Sequence, residues 1–269
     1  MRQKRTNGYL TAGLVLTGVL VALILVGFFW TPFDPSAMSG SEKLAAPSLR
    51  HLMGTDNFGR DIFSRVIRGA GTTLVIALAT VAIGGVCGTL VGSLTGYFGG
   101  RVDSVLMRFN DAMTAFPSIL LGLVFVSVLG PGTFNVILAL GLVFIPSFAR
   151  VTRSAFAGLR DVNYVKSARL MGAGRLRILY VHMLPNTLPV LLPAVTIGFN
   201  NAVLAEASMS YLGIGSMSSL GYLLSSAQSV LYKAPWYALG AGTAIVLLIF
   251  GVGLIGEGLQ RRNGGQRYA

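Results

Sequence analysis

Few side chains in this sequence are of a type that does covalent or metal chemistry, and their spacing argues against it. His51 and His182 are the only two histidines, lie far apart and form no His-x-x-x-His pair, and Cys87 is the single cysteine. A metal site and an internal disulfide are therefore not expected. No Gly-Lys-Ser/Thr ending of a phosphate loop occurs and no glycine precedes any lysine, so the backbone cradle that nucleotide phosphates require is missing. No nucleophile is placed beside a base in an acyl- or phosphoryl-transfer pattern. On these grounds the chain is not expected to be an enzyme or to carry a cofactor of its own.

What remains are polar groups set in apolar surroundings. Glu206 stands alone in a long apolar run, with Asn200 and Asn201 nearly two helical turns before it. An ionisable group at membrane depth is costly and faces a cavity or a partner. Glu206, Asn200 and Asn201 either border a path between two subunits, or Glu206 pairs with a neighbouring helix to hold the subunits together. Asp111 is the other candidate for a path, although Arg108, three residues earlier, offers it an intrahelical partner.

The elements that must position these groups follow from composition. The 269 residues are 53% hydrophobic and 11% charged, with a net charge of +12 and a mean hydropathy of +0.70. A soluble domain carries about a quarter charged residues, so this chain belongs in lipid. The basic residues line no face and do not interleave with aromatics, which excludes a nucleic-acid surface. They sit between apolar runs, as a topology signal does.

A bilayer core of about 30 Å needs roughly 20 apolar residues per helix. Six such runs are expected: near Tyr9 to Trp30, Thr72 to Tyr97, two between Ala112 and Ala149 split by Gly130-Pro131-Gly132, Thr187 to Leu212, and Trp236 to Gly256. The first is too long for a cleaved signal and reads as a retained anchor. Between the first two, Arg60, Arg65 and Arg68 form one stripe and Ile62, Phe63, Val66 and Ile67 another, the pattern of a helix lying on the outer surface. The fold class is all-α, a polytopic membrane protein. Its expected divisions are 1–68 with the anchor and outer segment, 69–259 with five helices, and 260–269 as a tail. Six spans put both termini on one side. Placing them in the cytoplasm assigns fifteen of the 21 lysines and arginines there, including Arg2, Lys4, Arg5 and Arg267.

Glycines Gly84, Gly88, Gly92, Gly96 and Gly100 recur every fourth residue, a stripe where a second backbone can approach closely. Pro185, Pro189 and Pro193 recur likewise, and each removes a backbone hydrogen bond, so a bend or hinge is expected there. Just before them, residues 164–186 read YVKSARLMGAGRLRILYVHMLPN, a basic patch on the cytoplasmic side. Asn163 can cap a short helix that Gly172 ends, and a second short helix follows from Arg175 to His182 with Leu176, Leu179 and Tyr180 on one side. Topology alone does not require two glycine-hinged helices. A compact docking knob does.

At these residues the sequence resembles a known family. KSARLMGAGRLRILYVHMLPN resembles the EAA signature of binding-protein-dependent ABC importer permeases. HLMGTDNFGRDIFSRV, LMRFNDAMTAFPSILL and VLAEASMSYLGIG resemble further blocks of the C-type subunit of the dipeptide/oligopeptide/nickel subfamily. Together they cover nearly the whole chain in order. Ala168 and Gly172 occupy the second-alanine and glycine positions of the signature, while Lys166 stands at its acidic position and Ser167 at its first alanine. Trp236 is kept without the Pro-Gly that follows it in relatives, and Glu257 matches the acidic residue of the closing segment.

The resemblance implies a type I ABC permease in the cytoplasmic (inner) membrane of a prokaryote. It implies an ATPase-docking surface at Val165, Lys166, Ala168, Arg169, Gly172, Ala173 and Arg177. The implied partners are a homologous second permease, two ATPase subunits that bind the ATP and magnesium, and an extracytoplasmic substrate-binding protein. The implied cargo is di- or oligopeptides. A nickel or metal-chelate importer is the alternative within the family, and an ion-driven secondary transporter or channel subunit the alternative outside it.

Overall fold

A computed structural model of the chain describes residues 8–264. Arg2, Lys4, Arg5 and Arg267, counted above in the charge bias, lie outside the described residues.

Five helices are long and apolar enough to cross a membrane, or six if one bent pair is counted as a single span. The first, α1 (Gly8–Phe29), is apolar all round and buries only Gly13, Ile24 and Gly27 within the subunit. Helix α2 (Ile62–Phe98) follows an irregular outer segment and runs for 37 residues, about 55 Å at 1.5 Å per residue. It outreaches the hydrocarbon layer because its first two turns are the segment expected to lie flat on the surface.

That expectation is corrected by charge pairing. Asp61 caps α2 by accepting the Ser64 amide at 2.8 Å and also binds His51 Nδ1 at 2.8 Å. Asp56 is fully buried, accepts Arg60 Nε at 2.7 Å and pairs with Arg65, whose guanidinium donates to the Tyr237 hydroxyl at 2.6 Å. With its charge neutralised, Arg65 is buried rather than solvated, and of the three arginines only Arg68 is exposed. The expected division at residue 68 therefore falls inside α2.

The third span is also not a straight helix. α3 (Gly100–Thr114) and α4 (Ser118–Leu129) meet at 88°. Pro117 has no N–H to continue α3 and holds an extended ψ of 126°. After the turn at Gly130 and Gly132, whose φ of +89° and +141° suit glycine, α5 (Thr133–Leu159) forms the fourth span.

A short α6 (Asn163–Leu170) precedes a three-residue α7 (Arg175–Arg177), a π-helical turn over Ile178–Met183, and α8 (Leu184–Tyr211). The last three run on as one 37-residue span. Helix α9 (Leu220–Gln228), capped by the Ser219 hydroxyl accepting the Tyr222 amide, occupies a stretch to which the sequence pattern assigned no element. Helix α10 (Pro235–Gly264) packs on α1 and α8 and extends well into the expected tail.

The most extensive helix contact joins α2 to α5. A Cβ added at Gly84, Gly88, Gly92 or Gly96 would come within 2.4–2.8 Å of α5 atoms, among them the Ala149 carbonyl oxygen at Gly92 and the Phe156 Cβ at Gly96. The stripe ends there. Gly100 has nothing within 4 Å, because the chain breaks from helix at Gly99 (φ +62°) and restarts as α3. Overpacking a close contact costs about 1–3 kcal/mol. Gly92→Leu is accordingly expected to lower the thermal unfolding midpoint of the purified protein by several degrees. Gly18→Leu, on an open face of α1, leaves it unchanged. Equal midpoints for the two variants would contradict the contact.

Candidate functional site

The knob is built on helical periodicity. Val162 takes the N-cap position with extended backbone and no side-chain cap bond, and Asn163 is the first helical residue, so the expected asparagine cap is not formed. The end is as expected. Gly172 adopts φ +78°, its amide donates to the Arg169 carbonyl, and the Ala173 amide donates to the Ala168 carbonyl, both at 3.0 Å. This closing motif demands a left-handed residue, which glycine supplies without strain.

Val165 and Ala168 lie three residues apart on the buried face of α6. They pack with Tyr97, Phe156, Ile178, Leu179 and Met183 in a small separate core. Two residues expected at the docking surface therefore anchor the knob to the body instead, and Ala173 packs half-buried at the edge of the same core. Lys166, Arg169, Gly172 and Arg177 are exposed. So are three apolar residues not expected at the docking surface: Leu170 at 90%, Met171 at 80% and Leu176 at 66%. They flank Gly172, and their signal was hydrophobic residues beside a left-handed glycine.

The expected second short helix is the beginning of a long one. The Leu184 amide bonds to the Leu179 carbonyl, a five-residue spacing in place of four. A wider turn immediately before Pro185 moves carbonyls away from a ring that would clash with the one four residues back. Leu179 and Ile178 become buried, while Leu176 and Tyr180 remain exposed, so the expected apolar side is rotated. Helix α8 continues through Pro189 and Pro193 without interruption. The departure from α geometry expected at the prolines is instead a π turn upstream of them. There the Asn186 side chain donates to the His182 carbonyl at 2.7 Å.

Between α5 and α8 runs a groove. A cavity of about 770 Å³ at the knob end is lined by Ser147, Arg150, Ser154, Asn186 and Thr187. A second of about 360 Å³ is lined by Ser118, Phe144, Ser147, Asn201 and Ser208. A third of about 130 Å³ also borders Phe144, Ser147 and Asn201. Ser147 borders all three, so they follow one line along the two helices.

The four groups singled out in the sequence separate here. Asn201 is exposed in the groove, whereas Asn200 is half-buried against Gly253 of α10, its Oδ1 buried and without a hydrogen-bond partner. Glu206 is fully buried inside the subunit. Its carboxyl accepts the Thr73 hydroxyl at 3.0 Å and the Ser210 hydroxyl at 2.6 Å. The Leu220 amide at the start of α9 donates to Thr73, and the Ser216 amide donates to Ser210. Glu206 thus ties α8 to α2 and α9, a contact within the subunit, and borders none of the three cavities.

Asp111 pairs not with Arg108 but with Arg150 of α5 at 3.0 Å, because α3 lies across α5. Both side chains are more than half exposed, so the pair is weak. Nearby, Arg153 holds Asp103 through two bonds of 2.5 and 2.6 Å, a fork the sequence reading did not foresee. Among the described residues no cluster of three histidine, cysteine or acidic side chains could hold a metal ion.

Known proteins share this architecture. Residues 88–264 match the family described as the binding-protein-dependent transport system inner membrane component. The dipeptide transport system permease protein DppC of Alkalihalophilus pseudofirmus is 34% identical over 262 residues, covering 96% of this chain and 86% of that protein. The probable D,D-dipeptide transport system permease protein DdpC of Escherichia coli is 33% identical, covering 96% and 92%. An inward-facing structure of the MetNI methionine ABC transporter superposes with a TM-score of 0.62 at 22% identity, over 74% of this chain and 96% of that one. The chain belongs to the family of binding-protein-dependent inner membrane components: it is a multi-pass permease subunit of an ABC importer, working with a permease partner, a substrate-binding protein and separate ATPase subunits that hydrolyse the ATP.

Proposed function

We propose that this chain forms half of the translocation path for di- or oligopeptides in a complex with one homologous permease, two ATPase subunits and an extracytoplasmic binding protein. The observation that carries the reading is a docking knob continuous with a helix that walls a groove in which serine, asparagine and arginine side chains are set among apolar ones. The cargo class is supported by relatives named for dipeptide and D,D-dipeptide transport. Serine and asparagine lining suits a peptide backbone, whose amides offer the same donors and acceptors whatever the side chains. The charge bias supports cytoplasmic termini and hence a cytoplasmic knob.

In this reading Leu170, Met171 and Leu176 enter an apolar recess of the ATPase, with Lys166 and Arg177 around them and Gly172 setting the turn, while the guanidinium of Arg169 is turned back over Tyr97. The ATPases hold ATP and magnesium. Nucleotide shifts the transporter between its two states because it binds one better than the other. The knob's displacement passes into α8 through the segment carrying Pro185, Pro189 and Pro193. Asn201 and Ser147 contact cargo, Asp111 acts through Arg150 at the groove mouth, and Asn200 and Glu206 hold α8 in place.

Two results test this in the assembled transporter reconstituted in proteoliposomes. Leu170→Asp combined with Met171→Asp is expected to cut ATP-driven dipeptide uptake by at least about tenfold, since each charge must be desolvated at an apolar contact. Retained uptake with normal ATPase co-purification would remove the knob from the interface. Asn201→Leu is expected to lower uptake without changing thermal stability. Glu206→Leu is expected to cost about 1–3 kcal/mol of stability by leaving the donor protons of two buried hydroxyls without an acceptor, with Glu206→Gln close to the parent in both measurements. A large uptake loss in Glu206→Gln at unchanged stability would return Glu206 to the path.

A further inference from the structure

Beside the knob lies a concave site that the docking surface does not use. It encloses about 600 Å³ and is lined by Tyr97, Phe98, Arg160, Arg169, Arg175 and Asp161 among others. Three guanidinium groups converge there. That of Arg169 lies over the Tyr97 ring at 5.3 Å, and that of Arg175 over the Phe98 ring at 5.9 Å. Arg160 reaches Gly99 at the end of α2. The only acid is Asp161, mostly exposed and 3.8 Å from Arg160, and among the described residues Arg169 and Arg175 have no carboxylate within 4 Å. Three cations therefore face one weakly held anion in a cavity with an aromatic floor.

We infer that this pocket binds the phosphate of an anionic lipid headgroup. Planar guanidinium forks match phosphate oxygens, and cation–π attraction to Tyr97 and Phe98 holds two of them at the pocket in advance. The position favours a lipid over an acidic protein surface. Tyr97 and Phe98 end the apolar run of α2, where aromatic rings sit at headgroup depth. The guanidiniums of Arg169 and Arg175 also lie over those rings, whereas Leu170, Met171 and Leu176 are freely exposed. Basic pockets between helices near the cytoplasmic face take such headgroups. The inference rests on the cytoplasmic placement of the knob only for which leaflet supplies the lipid.

The test uses the full chain in phosphatidylcholine nanodiscs doped with phosphatidylglycerol, with retained lipid read by native mass spectrometry. Because both leaflets are identical there, the outcome does not depend on orientation, which accessibility labelling of Arg169→Cys in cells reports separately. A cation near an anionic surface contributes roughly fivefold in affinity, so the triple variant Arg160→Gln, Arg169→Gln, Arg175→Gln is expected to lose about a hundredfold in phosphatidylglycerol retention. Phosphatidylcholine retention should stay unchanged. The triple lysine variant keeps the charge but not the fork, and is expected to fall between the two. Equal retention by parent and glutamine variant overturns the inference, as does parallel loss of both lipids. Displacement by millimolar inorganic phosphate would make the ligand a soluble anion, and displacement by added ATPase subunits would make the pocket part of the protein interface. Either result also overturns it.

Discussion

The close approach of α2 to α5 is the contact on which the remaining geometry depends. In a bilayer there is little hydrophobic drive between helices, so association relies on packing and on polar contacts. Gly84, Gly88, Gly92 and Gly96 bring the backbone of α2 against that of α5 over more than three turns. The last rung sets Gly96 beside Phe156. Phe156 and the neighbouring Tyr97 then floor the small core that receives Val165 and Ala168 of the knob. A side chain at any rung would separate the two helices and, at the lower end, tilt the floor on which α6 rests.

From that floor the connection to the groove is covalent. Ile178, Leu179 and Met183 are buried in the same core as α6, and the helix they begin continues to Tyr211. Along it lie Asn201, facing the groove, and Glu206, fastened to Thr73 on α2 and through it to α9. The helix that adjoins the knob at one end is thus held to the body at both ends. The knob is packed at once against α5 and the start of the helix that runs into α8, the two walls of the groove.

Features set by local sequence were legible in it. The apolar runs, the four-residue glycine period and the left-handed stop at Gly172 each depend on neighbours along the chain, and each is present. Features set by distant partners were not. Which face of α6 is buried depends on Phe156 and Tyr97, so Val165 and Ala168 read as surface when they are anchors. Whether Glu206 borders a path or pairs with a neighbouring helix stayed open in the sequence because Thr73, its hydrogen-bond partner, is 133 positions away. Arg65 read as solvated because the carboxylate that permits its burial lies in an irregular segment without periodicity. The bend at Pro117 was masked by the absence of charge on either side, and α9 by its nine-residue length.

Sharing one core, α6 and the start of α8 are expected to move as one body. Pulsed electron spin resonance between labels at Lys166 and Leu188, both exposed, tests it most directly. The labels are placed in a chain with Cys87 replaced by serine and measured in the assembled transporter with and without ATP. The same distance distribution is expected in both states. A displacement of about 5 Å, one helical turn, would show that the knob slides or swings on α8, and would contradict it.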